Sequence, residues 1–153
     1  MSRVTVIGAG LAGSEAALQL ASRGVKVRLI DCKPHEKTPA HQSDDFGELV
    51  CSNSLKSDLL STASGLLKAE LRLLGSELIW IADEVKVPAG SALAVNRELF
   101  AEKITEKLRL DPNIEIVCQT VTDWDTDEYT IIATGPLTLD GLAAKIAERF
   151  GAG

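Results

Sequence analysis

The sequence lacks any long apolar run. No stretch approaches the roughly 20 consecutive apolar residues that a membrane-spanning helix needs. The apolar segment near the N-terminus is short and patterned as a strand, without the basic start and small-residue cleavage site of a secretory signal peptide. We therefore expect no membrane association and a cytoplasmic location.

Cysteine is also scarce, with three residues in a chain of 153. The number of cysteines is odd, and no two of Cys32, Cys51 and Cys118 have the C-x-x-C spacing of a metal site. Neither a disulfide framework nor a zinc site is indicated, and we predict three free thiols and no metal.

The sequence also lacks an excess of positively charged residues. The chain has 16 Lys and Arg against 22 Asp and Glu, for a formal net charge of −6. Such a balance gives no general attraction to nucleic acid, so an RNA partner would need a local basic patch or residues outside this chain.

The composition itself fits a folded domain. With 45% hydrophobic residues, no internal repeat and no low-complexity tract, the chain can form one globular domain over residues 1–153 with a real core.

The most informative segment runs from Val4 to Ala17, where a short apolar strand breaks into G-x-G-x-x-G and continues as an Ala-rich helix. Gly8 allows a tight turn, Gly10 has no side chain to block a pyrophosphate, and Gly13 lets the helix lie close to the strand. The first N–H groups of the helix, together with its dipole, would face the anion. The predicted phosphate-binding residues are therefore Gly8, Ala9, Gly10, Leu11, Ala12 and Gly13.

The context of the turn supports a dinucleotide. A second predicted strand, Lys26–Ile30, ends at Asp31, close to the spacing of roughly 20 residues after the glycines at which a carboxylate receives the ribose hydroxyls. The alternative is a glycine-rich turn with no ligand.

Hydrophobic periodicity and turn residues predict an open, mostly parallel α/β sheet. The predicted strands are Arg3–Ile7, Lys26–Ile30, Glu77–Ala82, Val85–Val87, Ala92–Val95, Ile114–Cys118 and Tyr129–Ala133. The predicted helices are Ala12–Arg23, Leu66–Leu74, Arg97–Arg109 with Asn96 as its N-cap, and Asp140–Arg149.

Regular periodicity is absent from Cys32 to about Ser61. Compact domains seldom contain irregular connections longer than about 12–15 residues unless these have a function. We interpret this polar, turn-rich segment as facing a ligand.

Two features point to a flavin rather than a nicotinamide dinucleotide. The segment Ile132–Pro136 contains Ala133, Thr134 and Gly135, and resembles the A-T-G segment of flavoproteins of the glutathione-reductase type, in which a strand ends at the cofactor. The second feature is the middle of the chain, where V-C-S-N-S-L (50–55), G-L-L-K-A-E (65–70) and V-P-A-G-S-A-L-A-V (87–95) resemble the N-terminal part of the TrmFO family. The resemblance extends from about Arg3 to Glu148.

This resemblance implies a Rossmann-like FAD-binding domain of the glutathione-reductase type, incomplete in this chain. It also implies an activity: FAD- and methylenetetrahydrofolate-dependent methylation of C5 of a T-loop uridine in tRNA, with NAD(P)H supplying reducing equivalents. The cofactor-binding residues would be the glycine turn, Asp31, Ala133, Thr134 and Gly135. Cys51 matches the family's active-site cysteine, although a lone cysteine at such a position is otherwise more often inert.

Other residues have two interpretations each. His41 and Lys56 either contact folate or phosphate or are simply solvated, and Arg97 either pairs with an anion or is an ordinary residue of a first helical turn. Cys32 has no assignable chemistry. Cys118 is predicted to pack in the core, and Trp80 and Trp124 are predicted to make hydrophobic packing contacts.

The chain departs from the family in two ways. Asp31 occupies a position where the family is expected to have the longer Glu, and the family's chains are about three times longer, so we expect a fragment or a truncated product. Two alternatives remain: a stand-alone FAD- or nucleotide-binding protein without catalysis, and a GidA/MnmG-type flavoprotein that modifies wobble uridines.

Overall fold

The computed structural model describes residues 3–125 and 127–151. Met1, Ser2, Thr126, Ala152 and Gly153 lie outside the described residues, and these include both ends of the predicted domain 1–153. In chain order the elements are β1 Arg3–Ile7, α1 Leu11–Ser22, β2 Lys26–Asp31, β3 Ser54–Ser57, α2 Ala63–Leu73, α3 Glu77–Glu84, β4 Lys86–Val87, β5 Ala92–Val95, α4 Arg97–Leu110, β6 Ile114–Cys118, β7 Tyr129–Ile132 and α5 Asp140–Phe150.

The main sheet is parallel, as predicted. Its four strands have the order β6-β2-β1-β7, so β1 and β2 occupy the centre. Because all four strands are parallel, their carboxyl ends meet at one edge, where Ile7, Asp31 and Ile132 lead into the connecting loops. Ligands of open α/β sheets bind at this edge.

A second sheet is antiparallel, with the order β3-β5-β4. Strand β3 lies inside the segment 32–61 that we predicted to be irregular, so that prediction was wrong at Ser54–Ser57. The strand pairs with β5 at Ser54 and Ser57, with an irregularity between them, and Lys56 has a positive φ of 66°. Its polar residues lack the apolar alternation that predicts a strand, and the buried residues of β5 supply the packing instead.

The predicted strand Glu77–Ala82 is the helix α3. Ser76 accepts a hydrogen bond from the backbone N–H of Ile79 and so caps the helix. The buried positions Leu78, Ile79, Ile81 and Ala82 follow helical rather than alternating spacing. The carboxylate of Glu15 in α1 also accepts the backbone N–H groups of Glu77 (3.2 Å) and Leu78 (2.9 Å), which a helix leaves without internal partners.

The core lies between the main sheet and the helices α1, α3 and α4. Its most buried large side chains come from the two central strands, from β5 and from α4, which begins after the N-cap Asn96 as predicted. They are Val6, Val27, Leu29, Val95, Phe100, Ile104 and Leu108. In the described part of the chain, no helix is long and apolar enough to cross a membrane.

Two of the residues that we predicted to be packed are exposed instead. Cys118 is exposed because it ends β6, which is an edge strand of the main sheet. Trp80 is 60% exposed because it lies on the side of α3 that faces away from the core. Trp124 is half-buried, and its ring stacks on Phe150 with the centroids 6.3 Å apart and lies under the Arg149 guanidinium.

We predict that Glu15→Ala destabilises the fold by about 1–3 kcal/mol, because it removes the acceptor for the buried end of α3. Chemical denaturation by urea measures this difference. Glu102→Ala, an exposed glutamate of α4, is the control and should change stability by about 0.5 kcal/mol or less. Equal effects of the two substitutions would mean that Glu15 does not hold α3.

Candidate functional site

The glycine turn between β1 and α1 has the backbone geometry that the motif requires. Gly8 has a φ of 98°, and a Cβ built on it would lie 2.7 Å from the Ala133 carbonyl oxygen. A Cβ on Gly13 would lie 1.8 Å from the Gly8 carbonyl oxygen, so only glycine lets α1 approach the turn this closely. A Cβ on Gly10, in contrast, would meet nothing within 4 Å. Gly8 and Gly13 are therefore required by the fold, whereas Gly10 keeps space open.

The N-terminus of α1 is suited to an anion. Gly10 is the N-cap and makes no side-chain capping bond, and the first internal bond runs from Ser14 N–H to the Gly10 carbonyl at 2.9 Å. This start leaves the backbone N–H groups of Leu11 and Ala12 directed toward an outside acceptor. A twelve-residue helix adds its dipole to that attraction.

Asp31 binds the turn from the neighbouring strand. One carboxylate oxygen accepts the Ala9 N–H at 2.6 Å and the other accepts the Lys33 N–H at 2.9 Å. Each carboxylate oxygen has a further lone pair, so the group can also accept a ribose hydroxyl. Asp31 therefore makes a structural contact that we did not predict, and its contact with a ribose stays a prediction.

A cleft of about 340 Å³ opens above these residues at the carboxyl edge of the main sheet. Of the predicted cofactor residues, Gly13 lies beneath the turn and does not line the cleft. The others do line it: Gly8, Ala9, Gly10, Leu11, Ala12, Asp31, Ala133, Thr134 and Gly135. The turn and the A-T-G segment, far apart in sequence, thus form one cavity because β1 and β7 are neighbours.

The irregular segment 32–50 forms the opposite wall of the cleft. It is fixed to the glycine turn by a bond from the Gly47 N–H to the Ala9 carbonyl (2.8 Å) and to α4 by a bond from the Phe46 N–H to the Thr105 hydroxyl (2.8 Å). Thr38, Ala40, His41, Glu48 and Val50 of this segment line the cleft. Our interpretation of the loop as facing the candidate ligand site agrees with this position.

A buried ion pair that the sequence analysis missed holds the wall together. The Lys33 ammonium, on a side chain 6% exposed, donates to a Glu48 carboxylate oxygen (3.2 Å) and to the Asp45 carbonyl (2.6 Å). The other Glu48 oxygen accepts the N–H groups of Gln42 and Ser43. Burial opposes ionisation of Glu48, but these hydrogen bonds and the Lys33 charge outweigh it and lower the pKa of Glu48.

Two titratable groups inside the cleft are held neutral. Burial and the Lys33 charge lower the pKa of His41, whose Nδ1 lies 2.6 Å from the Thr38 hydroxyl. Burial and the Asp31 carboxylate raise the pKa of Cys32, so this thiol stays protonated and is a poor nucleophile. The cleft thus presents a neutral imidazole and a neutral thiol to any ligand.

Cys51, the predicted catalytic residue, is exposed. It does not line the cleft, but its neighbour Val50 does, which places Cys51 at the rim. Arg97 lies with Ser52 and Asn53 around a separate, shallow depression, and Lys56 is exposed. The structure therefore brings the cofactor candidates and His41 together, but leaves Lys56 and Arg97 outside the cleft.

Several other cleft residues had no sequence signal. Gln119, Val121, Leu139 and Leu142 line the cavity from the segments after β6 and at α5. Lys33 could have been noticed because it follows the Asp31 position directly, and Glu48 because it begins the E-L-V-C segment. In the described residues, no group of three or more His, Cys, Asp or Glu side chains could hold a metal ion.

We predict that Glu48→Gln lowers stability at neutral pH by about 3 kcal/mol, because it leaves the buried Lys33 charge without its partner. The pKa of Glu48 is lowered in the folded state, so its ionised form stabilises the fold fully above the ordinary value of 4.5. That contribution is lost as the pH falls below 4.5 and through the lower folded value.

The measurement is urea denaturation of both proteins between pH 7 and pH 3. Their stability difference should shrink with acid, whereas the exposed control Glu106→Gln should show little difference at any pH. A difference for Glu48→Gln that does not change with pH would contradict the ionised pair.

Comparisons with known proteins agree with the geometry. The family model described as "Glucose inhibited division protein A" (GIDA) matches residues 3–151. Three curated relatives are named methylenetetrahydrofolate--tRNA-(uracil-5-)-methyltransferase TrmFO. The relative from Fusobacterium nucleatum is 58% identical over 97% of this chain, that from Lactobacillus delbrueckii 55% over 98%, and that from Streptococcus pneumoniae serotype 4 is 54% identical over 99%.

The chain spans about a third of the length of these relatives, 34% in each case. The family model, by contrast, covers nearly all of the chain. Because this match includes β1, the glycine turn, the cleft wall and β7, the chain belongs to the family described as glucose inhibited division protein A.

Proposed function

We propose that this chain forms the FAD-binding part of a TrmFO-type enzyme, which methylates C5 of a T-loop uridine in tRNA. The observation that carries the proposal is the combination of a dinucleotide-type cleft with more than 50% identity to curated TrmFO proteins across that same segment. Methylenetetrahydrofolate supplies the one-carbon unit and NAD(P)H the reducing equivalents.

The residues of the cleft fit FAD. The open space at Gly10 and the free N–H groups of Leu11 and Ala12 suit the pyrophosphate, and Asp31 suits the ribose hydroxyls. Ala133, Thr134 and Gly135 would contact the cofactor from the end of β7. When bound, the flavin supplies the redox chemistry and the carrier for the one-carbon unit.

The proposed reaction balances with these partners. Methylenetetrahydrofolate, the uridine, NAD(P)H and a proton give tetrahydrofolate, the 5-methyluridine and NAD(P)⁺. The C5–H bond of the uridine breaks and a C5–CH₃ bond forms, and the hydride of NAD(P)H reduces the transferred carbon. Of this chain's residues, those of the cleft are proposed to hold the flavin, and Cys51 is proposed to act on the uridine.

Cys51 is proposed as the nucleophile. A thiolate that adds to the pyrimidine ring makes the neighbouring carbon nucleophilic. Its exposed position at the rim leaves the thiol accessible to a macromolecular substrate that cannot enter the cleft. With a net charge of −6, the chain offers tRNA no general attraction, so we propose that the main tRNA contacts lie in the longer polypeptide. The proposed location is the cytoplasm, where tRNA is modified.

One alternative is a flavin-binding protein without catalysis. The surroundings of Cys51 favour this alternative, because no described side chain makes a hydrogen bond to its thiol. A group that activates the thiol would have to come from elsewhere. The wobble-uridine alternative shares the glycine turn, and the two are separated by the uridine position that the enzyme modifies.

We predict that Gly10→Val abolishes FAD binding and leaves the fold intact. The φ of −70° and ψ of −168° at Gly10 are extended backbone that valine adopts, and its side chain would fill the space kept for the pyrophosphate. Calorimetric titration with FAD and thermal melting check the two parts. Equal FAD affinity of the variant and the parent would contradict the proposed binding mode.

Gly13→Ala is the matched comparison. Its Cβ would collide with the Gly8 carbonyl, so this variant should lose stability together with binding. Comparing the two variants therefore distinguishes a glycine that leaves space for a ligand from a glycine that the fold requires.

We predict that Cys51→Ser abolishes methylation without unfolding the protein. The measurement uses a full-length chimera in which residues 3–151 replace the matched third of the Fusobacterium nucleatum relative. Transfer of labelled carbon from methylenetetrahydrofolate into a T-loop uridine should fall by several orders of magnitude, since nothing nearby replaces a covalent nucleophile. The melting temperature should hardly change, because the exposed thiol contributes about 0.5 kcal/mol or less.

Cys118→Ser in the same chimera is the control, because it changes a second exposed cysteine at the end of β6. This variant should methylate normally. Near-normal methylation by the Cys51 variant would remove Cys51 from the mechanism, and loss of folding would assign it a packing role instead.

A further inference from the structure

Helix α2 has its polar side turned toward the protein and its apolar side turned outward. On the inner side, Lys68 is 4% exposed and Gly65 is buried. On the outer side, Leu66, Leu67 and Leu73 are 50%, 55% and 89% exposed. A surface helix ordinarily has the opposite arrangement, with the apolar face packed on the core.

The polar side chains on the inner side are hydrogen-bonded within the protein, so the orientation of α2 is built into the fold. The Lys68 ammonium donates to the carbonyls of Leu55 and Ser64, each at 2.8 Å, and burial lowers the pKa of Lys68. The Arg72 guanidinium forms paired hydrogen bonds with Asp58 and with Asp83 of α3.

Gly65 fixes the rotation of the helix. A Cβ on Gly65 would lie 1.9 Å from the Leu59 carbonyl oxygen, so no other residue allows the turn before α2 to pass this close. The Thr62 hydroxyl caps the helix by accepting the Gly65 N–H. Helix α2 is therefore fixed in a position that exposes its leucines.

Exposed leucines cluster on one side of α2 and on the turn before it, and we call this surface the leucine face. Its members are Leu59, Leu60, Leu66, Leu67, Leu73 and Leu74, and each of them is at least half exposed. Positions i and i+7 place Leu66 with Leu73, and Leu67 with Leu74, along the same side of the helix. Apolar residues scattered singly are normal on a surface, but a cluster of six exposed leucines marks an interaction site.

The charge on the leucine face disfavours a second copy of the chain as its occupant. Glu70 lies on the same side of α2, between the leucine pairs, and is exposed. A two-fold axis across this helix would bring two Glu70 carboxylates together and bury like charges. The surface instead fits a different apolar partner with a basic group or hydrogen-bond donor opposite Glu70.

The length of the relatives indicates the occupant. This chain spans 34% of their length, so about two thirds of a TrmFO-length polypeptide lies outside the matched part. We propose that the leucine face of α2 is the docking surface for that remaining polypeptide. The inference rests on the length of the relatives and not on the proposed chemistry, so its test uses no activity measurement.

The experiment compares thiol labelling in two contexts, the 153-residue chain alone and the full-length chimera described above. Leu73→Cys on the leucine face and Glu106→Cys on the charged side of α4 are each labelled with a maleimide, and mass spectrometry of peptides separates them from the native cysteines. We expect both positions to react rapidly in the short chain. In the chimera, labelling at Leu73→Cys should slow at least tenfold, and labelling at Glu106→Cys should not change. Equal labelling of Leu73→Cys in the two contexts would overturn the proposal.

A second measurement tests the proposal if the chimera does not fold. The 153-residue chain is co-expressed with the remaining segment of the Fusobacterium nucleatum relative, and co-purification is measured for the parent, for the double variant Leu66→Glu with Leu73→Glu, and for the control Glu102→Lys. We expect the parent and the control to retain the segment and the double variant to lose it. No retention by the parent overturns the proposal, as does light scattering that finds the parent chain dimeric and the double variant monomeric.

Discussion

The close approach of α1 to the end of β1 is the constraint on which the rest of the site depends. Gly13 lies against the Gly8 carbonyl at a distance that no Cβ tolerates, and Gly8 in turn lies against the Ala133 carbonyl. These contacts set the direction of α1 and the position of the A-T-G segment at once. Because the first N–H groups of α1 then point over the carboxyl edge of the sheet, the anion-binding geometry follows from backbone packing alone.

The opposite wall of the cleft depends on buried charge. The segment 32–50 has little regular structure, yet its ends are held by the Lys33–Glu48 pair and by the Gly47 bond to the glycine turn. Breaking a buried pair leaves an uncompensated charge, so the pair specifies one arrangement of the wall even where its net contribution to stability is small. The same arrangement carries the chain through Val50 to the rim, where Cys51 lies.

The two faces of the domain therefore have separate tasks. The cleft combines backbone N–H groups, a carboxylate and neutral side chains, which suits an anionic dinucleotide with apolar rings. The leucine face lies on a helix whose inward polar side chains, Lys68 and Arg72, are hydrogen-bonded within the domain. The chain thus exposes an apolar surface that does not line its candidate cofactor cleft.

Much of the fold could be predicted from local pattern. Strands such as Ile114–Cys118 and helices such as Arg97–Leu110 have apolar periods and turn residues that act over a few positions. The glycine turn was predictable for the same reason, since each glycine answers a backbone requirement within one short segment. The TrmFO resemblance depended on short segments as well.

Only the tertiary structure decided features whose causes lie far apart in the chain. Residues 77–82 are helical because Ser76 and the distant Glu15 satisfy the first turn, and Ser54–Ser57 is a strand because β5 pairs with it. The burial of Lys33 and the exposure of Cys118 and Trp80 likewise follow from which neighbours the fold supplies. Sequence determines what a segment can form locally, but pairing, burial and charge partners arise between residues that meet only after folding.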